Sequence, residues 1–487
     1  MTRSTALVVC AFLFCFAAAS VNAEQRPPLV LRSESFDREG AWQGFRNRLL
    51  PTPLPVTRQD FGYRASHRAG GRAAGEIGGL VERSSEPAMY ARAIVPRTLD
   101  QRLSASGRLV VPMAGGGSGV LVGWFHESSR GWRTPNSLAF RVDGNGGKYW
   151  MFYEYGTRNY RTGGGGAFAG EQYQKTPTPP FQAGDTVHTW SLDYDPAAAD
   201  GRGLLTFRVD DRSYQTALAP GHRTDGAEFN RFGIFNQQTP GDQLELYLDD
   251  LVIDGEPQSF DDDPAWQGVG NRMEFAERVI RPHHDFGHSH TAHCGSAAGE
   301  IGGIIFRDER PASYGTTTGA LSLDDELRAS GKLVLNRAGS DSGVYIGWFN
   351  RADKERNETP EHIARQRNYL GILVEGPSRV GHFFRPSYAT ATGAGITASG
   401  EGSQGQLVWP VIRPDGRIHE WSLHYRPEAA SGRGQIELSL DGESHSLELA
   451  PGHRAAGAAF DQFGIFNAQS GGHHVEIYLD DVTYSAR

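Results

Sequence analysis

One long stretch of this chain occurs twice, and that repetition limits its fold more than any other feature. The first copy runs from His188 to Asp250 and the second from His419 to Asp481. Each carries the same elements in the same order. A His-x-Trp (His188 and Trp190, His419 and Trp421) precedes Gly-Arg-Gly and a strand-like run ending at Asp210 or Asp441. Pro-Gly-His-Arg follows, then Phe-Gly-Ile-Phe-Asn ending at Asn236 or Asn467, then a closing Tyr-Leu-Asp-Asp. A period this long marks two whole domains rather than a solenoid of short repeats, and 487 residues give each copy enough chain for its own core.

The upstream segments repeat too. Glu34-Ser-Phe-Asp37, Trp42-Gln-Gly44 and Asn47-Arg48 return as Gln258-Ser-Phe-Asp261, Trp266-Gln-Gly268 and Asn271-Arg272. Asp60-Phe-Gly62 and Gly75-Glu-Ile-Gly-Gly79 return as Asp285-Phe-Gly287 and Gly299-Glu-Ile-Gly-Gly303. Apolar runs of strand length, such as Val120–Phe125 and Val344–Phe349, lie between glycine-rich punctuation, and no segment holds a 3.6-residue period long enough for a substantial helix. The expectation is an all-β chain of two tandem antiparallel β-sandwiches, 34–254 and 258–487, after a leader at 24–33. The seam Asp254-Gly-Glu-Pro257 is short, so the two should be close neighbours.

Residues 1–23 read as a secretory signal peptide: Arg3, an apolar run from Ala6 to Ala19, and the small-residue site Val21-Asn22-Ala23. A secreted location is therefore expected. No later segment is long and apolar enough to span a membrane as a helix. Beyond residue 23 a single cysteine remains, Cys294, so no disulfide within the chain is expected. The formal charge of −9 argues against a nucleic-acid partner. The basic residues are nearly all arginine, whose planar forks suit carboxylate or sulfate groups on an acidic ligand.

Several groups of residues could carry chemistry. Tyr149, Trp150, Tyr153, Tyr155 and Tyr160 form the most aromatic stretch and could be core or a platform for sugar rings. Phe383, Phe384 and Tyr388 are the weaker set in the second copy. The run Gly163–Gly166 beside the first set reads as a flexible loop. Glu76 and Glu300, each between glycines, could be turn residues or carboxylates in a cleft, with Arg83 or Arg307 beside them. In Leu244–Leu251, period two puts Asp250 on the apolar face unless a bulge intervenes. Asp249 and Asp250, and Asp480 and Asp481, could therefore hold a structural calcium, or pair with arginine. His288, His290 and His293 crowd around Cys294 and offer a second metal option, private to the second copy.

The motifs His188-x-Trp190-x-x-x-Tyr194-Asp195, Val209-Asp210-Asp211 and Tyr247-x-Asp249-Asp250, with their counterparts at His419, Leu440-Asp441 and Tyr478, resemble the laminin-G-like and concanavalin A-like lectin/glucanase superfamily. That resemblance implies a two-sheet jelly roll. Three functions follow from it, because the scaffold hosts many activities. The first is binding of an extracellular or cell-wall polysaccharide, with avidity from the tandem arrangement. The second is a hydrolase. It needs two carboxyls about 5–10 Å apart, whereas Glu245 and Asp249 stand roughly 13 Å apart along one strand. The third is a lyase on a uronic-acid polymer. The superfamily's lyases imply Arg83, His188, Asn236 and Tyr90, or Arg307, His419, Asn467 and Tyr314, as its catalytic candidates, although the lysine and tyrosine of their last catalytic strand are missing. A purely structural surface protein is a further alternative.

Overall fold

The computed structural model describes residues 27–166, 180–339, 341–353, 367–376, 381–402 and 407–487. Residues 1–23, read from sequence as a signal peptide, lie outside the described residues. Among the described residues strands dominate, and the helices are three single turns. Four antiparallel sheets form two sandwiches with separate cores.

In the first sandwich one sheet runs, in spatial order, through Arg212–Ala217, Leu204–Val209, Gly184–Asp195, Leu103–Ala114, Gln243–Ile253, Glu76–Glu82, Val56–Arg64 and Arg272–Ala276. The facing sheet runs through Thr162–Gly166, Lys148–Gly156, Ser137–Gly144, Gly119–Phe125, Glu228–Asn236, Met89–Thr98 and Gln267–Val269. The second sandwich repeats both sheets, around Leu327–Ala338 and His474–Ala486 on one side and Ser342–Phe349 and Ala459–Asn467 on the other. Alternation explains the layering. Leu138, Phe140 and Val142 point into the core with Tyr149, Met151 and Tyr153 of the next strand. The Gly163–Gly166 run is not a loop: it pairs as an edge strand with Phe152–Tyr155. It can do so because a Cβ at Gly163 would stand 2.5 Å from the Tyr155 hydroxyl oxygen.

The two copies exchange their opening segments. Val30–Glu34 pairs with Val482–Ala486, and Gln43–Phe45 pairs with Ser313–Gly315, both in the second sandwich. Conversely, Gln267–Val269 and Arg272–Ala276 pair with strands of the first sandwich. Phe36 and Trp42 accordingly join the second core, whereas Phe260 and Trp266 join the first. The seam read as an interdomain linker is instead a hairpin. Asp254 and Gly255 both have positive φ (48° and 85°), and Ile253 pairs with Glu256. An Asp-Gly pair of this kind is the preferred two-residue hairpin turn, so the chain folds back on the first sandwich before crossing over. The second sandwich therefore holds both ends of the described chain.

Room for these arms is built into Gly75-Glu-Ile-Gly-Gly79 and its repeat. A Cβ on Gly75 (φ +124°) would stand 1.8 Å from the carbonyl oxygen of Phe260. One on Gly299 (φ +127°) would stand 2.2 Å from that of Phe36. Trp42 meets Phe36, Tyr314, Phe463 and Tyr484 with ring centroids 5.1–6.4 Å apart. Truncating such a buried tryptophan costs about 3–5 kcal/mol. Trp42→Ala should therefore destabilise the second sandwich, although residue 42 opens the first repeat. Hydrogen exchange should accelerate in Ser313–Ser322 and Ala459–Asn467, not in Met89–Thr98; the opposite pattern would refute the exchange.

Candidate functional site

The residues that could meet a ligand gather where the two sandwiches touch. Along Ser137–Gly144, the alternation that sends Phe140 and Val142 inward turns Arg141 and Asp143 to the opposite face. Glu154 faces the same way from the next strand. Its carboxylate lies 3.1 Å from Arg141 and 3.1 Å from Arg133, and Asp143 lies 3.8 Å from Arg141. The Arg141 guanidinium sits 3.9 Å over the Phe152 ring, and that of Arg133 sits 4.3 Å over Trp132. Beyond the Phe-Gly-Ile-Phe-Asn strand, Gln237 and Thr239 complete this wall. Arg83 adds to it, donating to the carbonyls of Gly117 and Thr239 at 2.9 and 3.4 Å. The second sandwich supplies Arg281, Phe306, Asp341 and His473. With Trp132, Arg141, Asp143, Gln237, Thr239 and Arg83 they line a cleft of about 840 Å³, behind which Glu154 and Arg133 brace Arg141 and Trp132.

Three polar atoms on this wall are buried without a hydrogen-bond partner, Trp132 Nε1, Gln237 Oε1 and Thr239 Oγ1, whereas Arg141 is held by Glu154 and Asp143. Buried polar groups are normally paired, so their concentration at one cleft marks it. Burial, reinforced by Arg281 and Arg83, pushes His473 down to about 4, which leaves its imidazole neutral at ordinary pH. Burial also lowers the proton affinity of Arg133, against the opposing pull of Glu154.

The seam has further ties. Arg337 of the second sandwich donates to the Ser85 carbonyl at 3.3 Å and pairs with Glu86 at 2.9 Å. Tyr160 donates to the Pro414 carbonyl at 3.2 Å, and Arg413 donates to that of Asn159 at 3.1 Å.

The residues singled out from sequence mostly sit elsewhere. Tyr149, Tyr153 and Tyr155 point into the first core and are no platform for a sugar; Phe384 and Tyr388 do the same in the second. Period two decides this, since strand neighbours face opposite ways. Trp150 lies on the face of Arg141 but is itself buried, and Tyr160 is a seam contact. Glu76 is a turn anchor: it accepts from Ser66 Oγ at 2.5 Å and from the backbone N–H groups of Arg68 and Ala69 at 3.0 and 2.7 Å. Glu300 does the same for Thr291 Oγ1, His293 N and Cys294 N.

The lyase candidates are not brought together. Asn236 is fully buried and tied to Ala88, Ser84 and Glu86, and Asn467 is held likewise by Ala312, Asp308 and Arg310. His188 and His419 sit on the other sheet of each sandwich, bonded through Nδ1 to Asp210 and Asp441 at 2.6 and 2.8 Å. Tyr90 stacks on Trp266, and Tyr314 lies against Trp42. Arg307 pairs with Glu375 at 3.2 Å and donates to Ser470. Of this set, Arg83 lines the cleft.

Neither expected metal site is assembled. Among the described residues no group of three or more His, Cys, Asp or Glu side chains could hold a metal ion. A bulge at Asp250 (φ 49°) turns it off the core face, while Asp249 stays buried and accepts from the Asp250 N–H at 2.7 Å. The repeat does the same at Asp480, and Lys332 pairs with Asp481 at 2.7 Å. Burial raises Asp249 to about 6 and also raises Asp480. His288 donates from Nε2 to the Phe36 carbonyl at 2.9 Å, His290 packs on His288, and His293 packs on Tyr478. The histidine-rich segment thus buttresses the arm.

Sequence reasoning missed Trp132, Arg141, Gln237, Arg281 and His473. The available signal was Arg141 and Asp143 alternating with apolar residues in Leu-Ala-Phe-Arg-Val-Asp.

No protein-family profile matches the chain, and no characterised protein matches it by sequence. Solved structures similar in fold include the mouse laminin alpha1 chain, domains LG4-5, at 12% identity over 89% of this chain and 92% of that one, TM-score 0.26. An alginate lyase mutant in complex with alginate trisaccharide shows 9% identity over 41% and 87%, TM-score 0.26. Peanut lectin shows 9% over 42% and 90%, TM-score 0.25. All are concanavalin A-like jelly rolls. Similarity this low leaves function to the site itself.

Burial depresses His222, His284, His382 and His473 to about 4 and His474 to about 3. A histidine lowered on folding contributes stability that is present above its unfolded value, about 6.5, and lost as pH falls through the folded value. Asp249 acts oppositely: its contribution is present below about 4 and lost as pH rises through about 6. Asp480 and Glu82 are raised as well, and five histidines outweigh these three carboxylates, so the unfolding temperature should fall between pH 7 and pH 4.5. A flat or rising profile would contradict this set.

Proposed function

We propose that the chain is an exported carbohydrate-binding protein whose ligand occupies the cleft between the sandwiches. The observation that carries this reading is the cleft of about 840 Å³ between the sandwiches, lined by Trp132, Arg83, Arg141, Arg281, Gln237 and Thr239, on which Trp132 Nε1, Gln237 Oε1 and Thr239 Oγ1 have no hydrogen-bond partner. Sugars match such a wall. Their hydroxyls both donate and accept, and their ring faces cover an aromatic side chain. Trp132 offers the ring, the arginines and the indole N–H donate, and Gln237, Asp143 and Asp242 accept. The cleft's volume is within the usual range for ligand sites. Export rests on the signal-like segment at 1–23.

A panel of immobilised polysaccharides tests the reading. The full chain should retain at least one, and Trp132→Ala should weaken that binding about tenfold or more while shifting the unfolding temperature little, since Trp132 is only partly buried. Trp150→Ala should have the smaller effect on binding. Retention that survives Trp132→Ala, or turnover of the polymer at a site away from this cleft, would defeat the proposal.

A further inference from the structure

We propose that Asn145 modifies itself in the folded protein: its side-chain nitrogen is lost as ammonia, and the residue becomes aspartate or isoaspartate on the rim of the cleft. This chemistry does not depend on which ligand the cleft takes. Of the asparagines in the chain, only Asn145 precedes a glycine. The following backbone nitrogen must reach the asparagine's side-chain carbonyl carbon, and glycine puts no Cβ in the way and has the widest backbone freedom.

The fold leaves both reacting groups free. Asn145, Gly146 and Gly147 form the tip of the hairpin between Ser137–Gly144 and Lys148–Gly156. Gly146 and Gly147 have φ of 65° and 78°, the left-handed pair that closes a two-residue hairpin. All three residues are exposed, and a Cβ on either glycine would meet nothing within 4 Å. Among the described residues neither the Asn145 carboxamide nor the Gly146 N–H makes a hydrogen bond. The turn is anchored instead through its neighbours: the Asn145 N–H donates to the Lys148 carbonyl at 2.7 Å, and the Gly147 N–H donates to that of Ala114 at 2.8 Å. Asn136, followed by the small Ser137, shows the opposite arrangement. Its Oδ1 accepts from the Glu228 N–H at 3.0 Å, and Ser137 is buried in a paired strand.

The reaction balances with water alone. The Gly146 nitrogen gives its proton to solvent base and bonds to Asn145 Cγ. The Cγ–Nδ2 bond breaks, and that nitrogen takes up a proton and leaves as ammonia. The five-membered imide then adds one water at either carbonyl. One opening gives aspartate. The other gives isoaspartate, whose main chain runs through the side-chain carbon. Because the Gly146 nitrogen must lose its proton, the rate rises with pH.

Asn145 lines the cleft of about 840 Å³, as do Asp143 and Asp242. Either product adds a negative charge to that lining. Isoaspartate also lengthens a turn whose two-residue geometry sets the register of the strands it joins. A fresh chain and an aged one therefore present different rims to a ligand.

Incubation of the folded full chain in mildly alkaline buffer, followed by tryptic mass spectrometry against a zero-time sample, tests this. The peptide Val142–Lys148 carries Asn145 as its only asparagine. It should gain one dalton and split into two chromatographic forms, aspartyl and isoaspartyl, faster at higher pH, while the peptide holding Asn136 keeps its mass. Asn145→Gln should abolish the gain, because the larger ring closes far more slowly, and should leave the unfolding temperature unchanged at this exposed tip. The free peptide Val142–Lys148, incubated alongside, is the reference. An amide at position 145 that persists in the folded chain after the free peptide has converted, or a one-dalton gain confined to other asparagines, overturns the inference.

Discussion

Two tryptophans close sandwiches built mainly by the other repeat's neighbouring chain. Trp42 packs among Tyr314, Phe463 and Tyr484 of the second sandwich, and Trp266 packs on Tyr90 of the first. Each arm also ends on an asparagine that substitutes for a strand partner. Asn47 Nδ2 donates to the Phe286 carbonyl, and Asn271 Nδ2 donates to that of Phe61. The same motif thus satisfies the same place twice, once from each arm. Because one arm must travel from the chain's start to its end, the two sandwiches cannot separate without opening a core. Burying a large aromatic ring is what makes that opening expensive.

That clasp is also what makes the cleft. Its walls come from both sandwiches, and neither alone would enclose it. Arg141 and Asp143 look outward from a sheet of the first, while Arg281 and His473 belong to the crossing segment and the second. Arg337 ties Glu86 to Glu476 across the same seam. A site formed this way inherits its geometry from the arms. Duplication supplied two equivalent scaffolds, yet the equivalent place in the second sandwich is taken up internally, where Arg307 and Arg385 pair with Glu375.

Much of the fold was legible in the chain itself, because period-two alternation and glycine punctuation are local signals. The duplicated cassette, the all-strand character and the bulge condition at Asp250 all came from such patterns. The exchange of arms was not legible. Asp254-Gly255 signals a turn, but whether that turn joins two domains or closes a hairpin depends on which edge the next strand finds. The site was read poorly for a related reason. Tyr149, Tyr153 and Tyr155 drew attention by being aromatic, yet alternate residues on that strand face the core. Arg141 passed unnoticed inside an apolar run, although a charge at that position must find partners. Glu76 and Glu300 stood out between glycines because a tight turn needs both features, not because a ligand does.

The central claim is that residues 30–48 are seated on the second sandwich of their own chain. Ser33 and Thr483 face each other across paired strands, with hydroxyl oxygens 3.0 Å apart, a separation compatible with a disulfide between cysteines at those positions. The measurement is the oxidation state and molecular mass of the Ser33→Cys, Thr483→Cys double variant. The account predicts a crosslink within a single chain, forming readily and leaving the fold intact. Thiols that stay reduced in the folded protein, with residue 33 reacting freely, would contradict it.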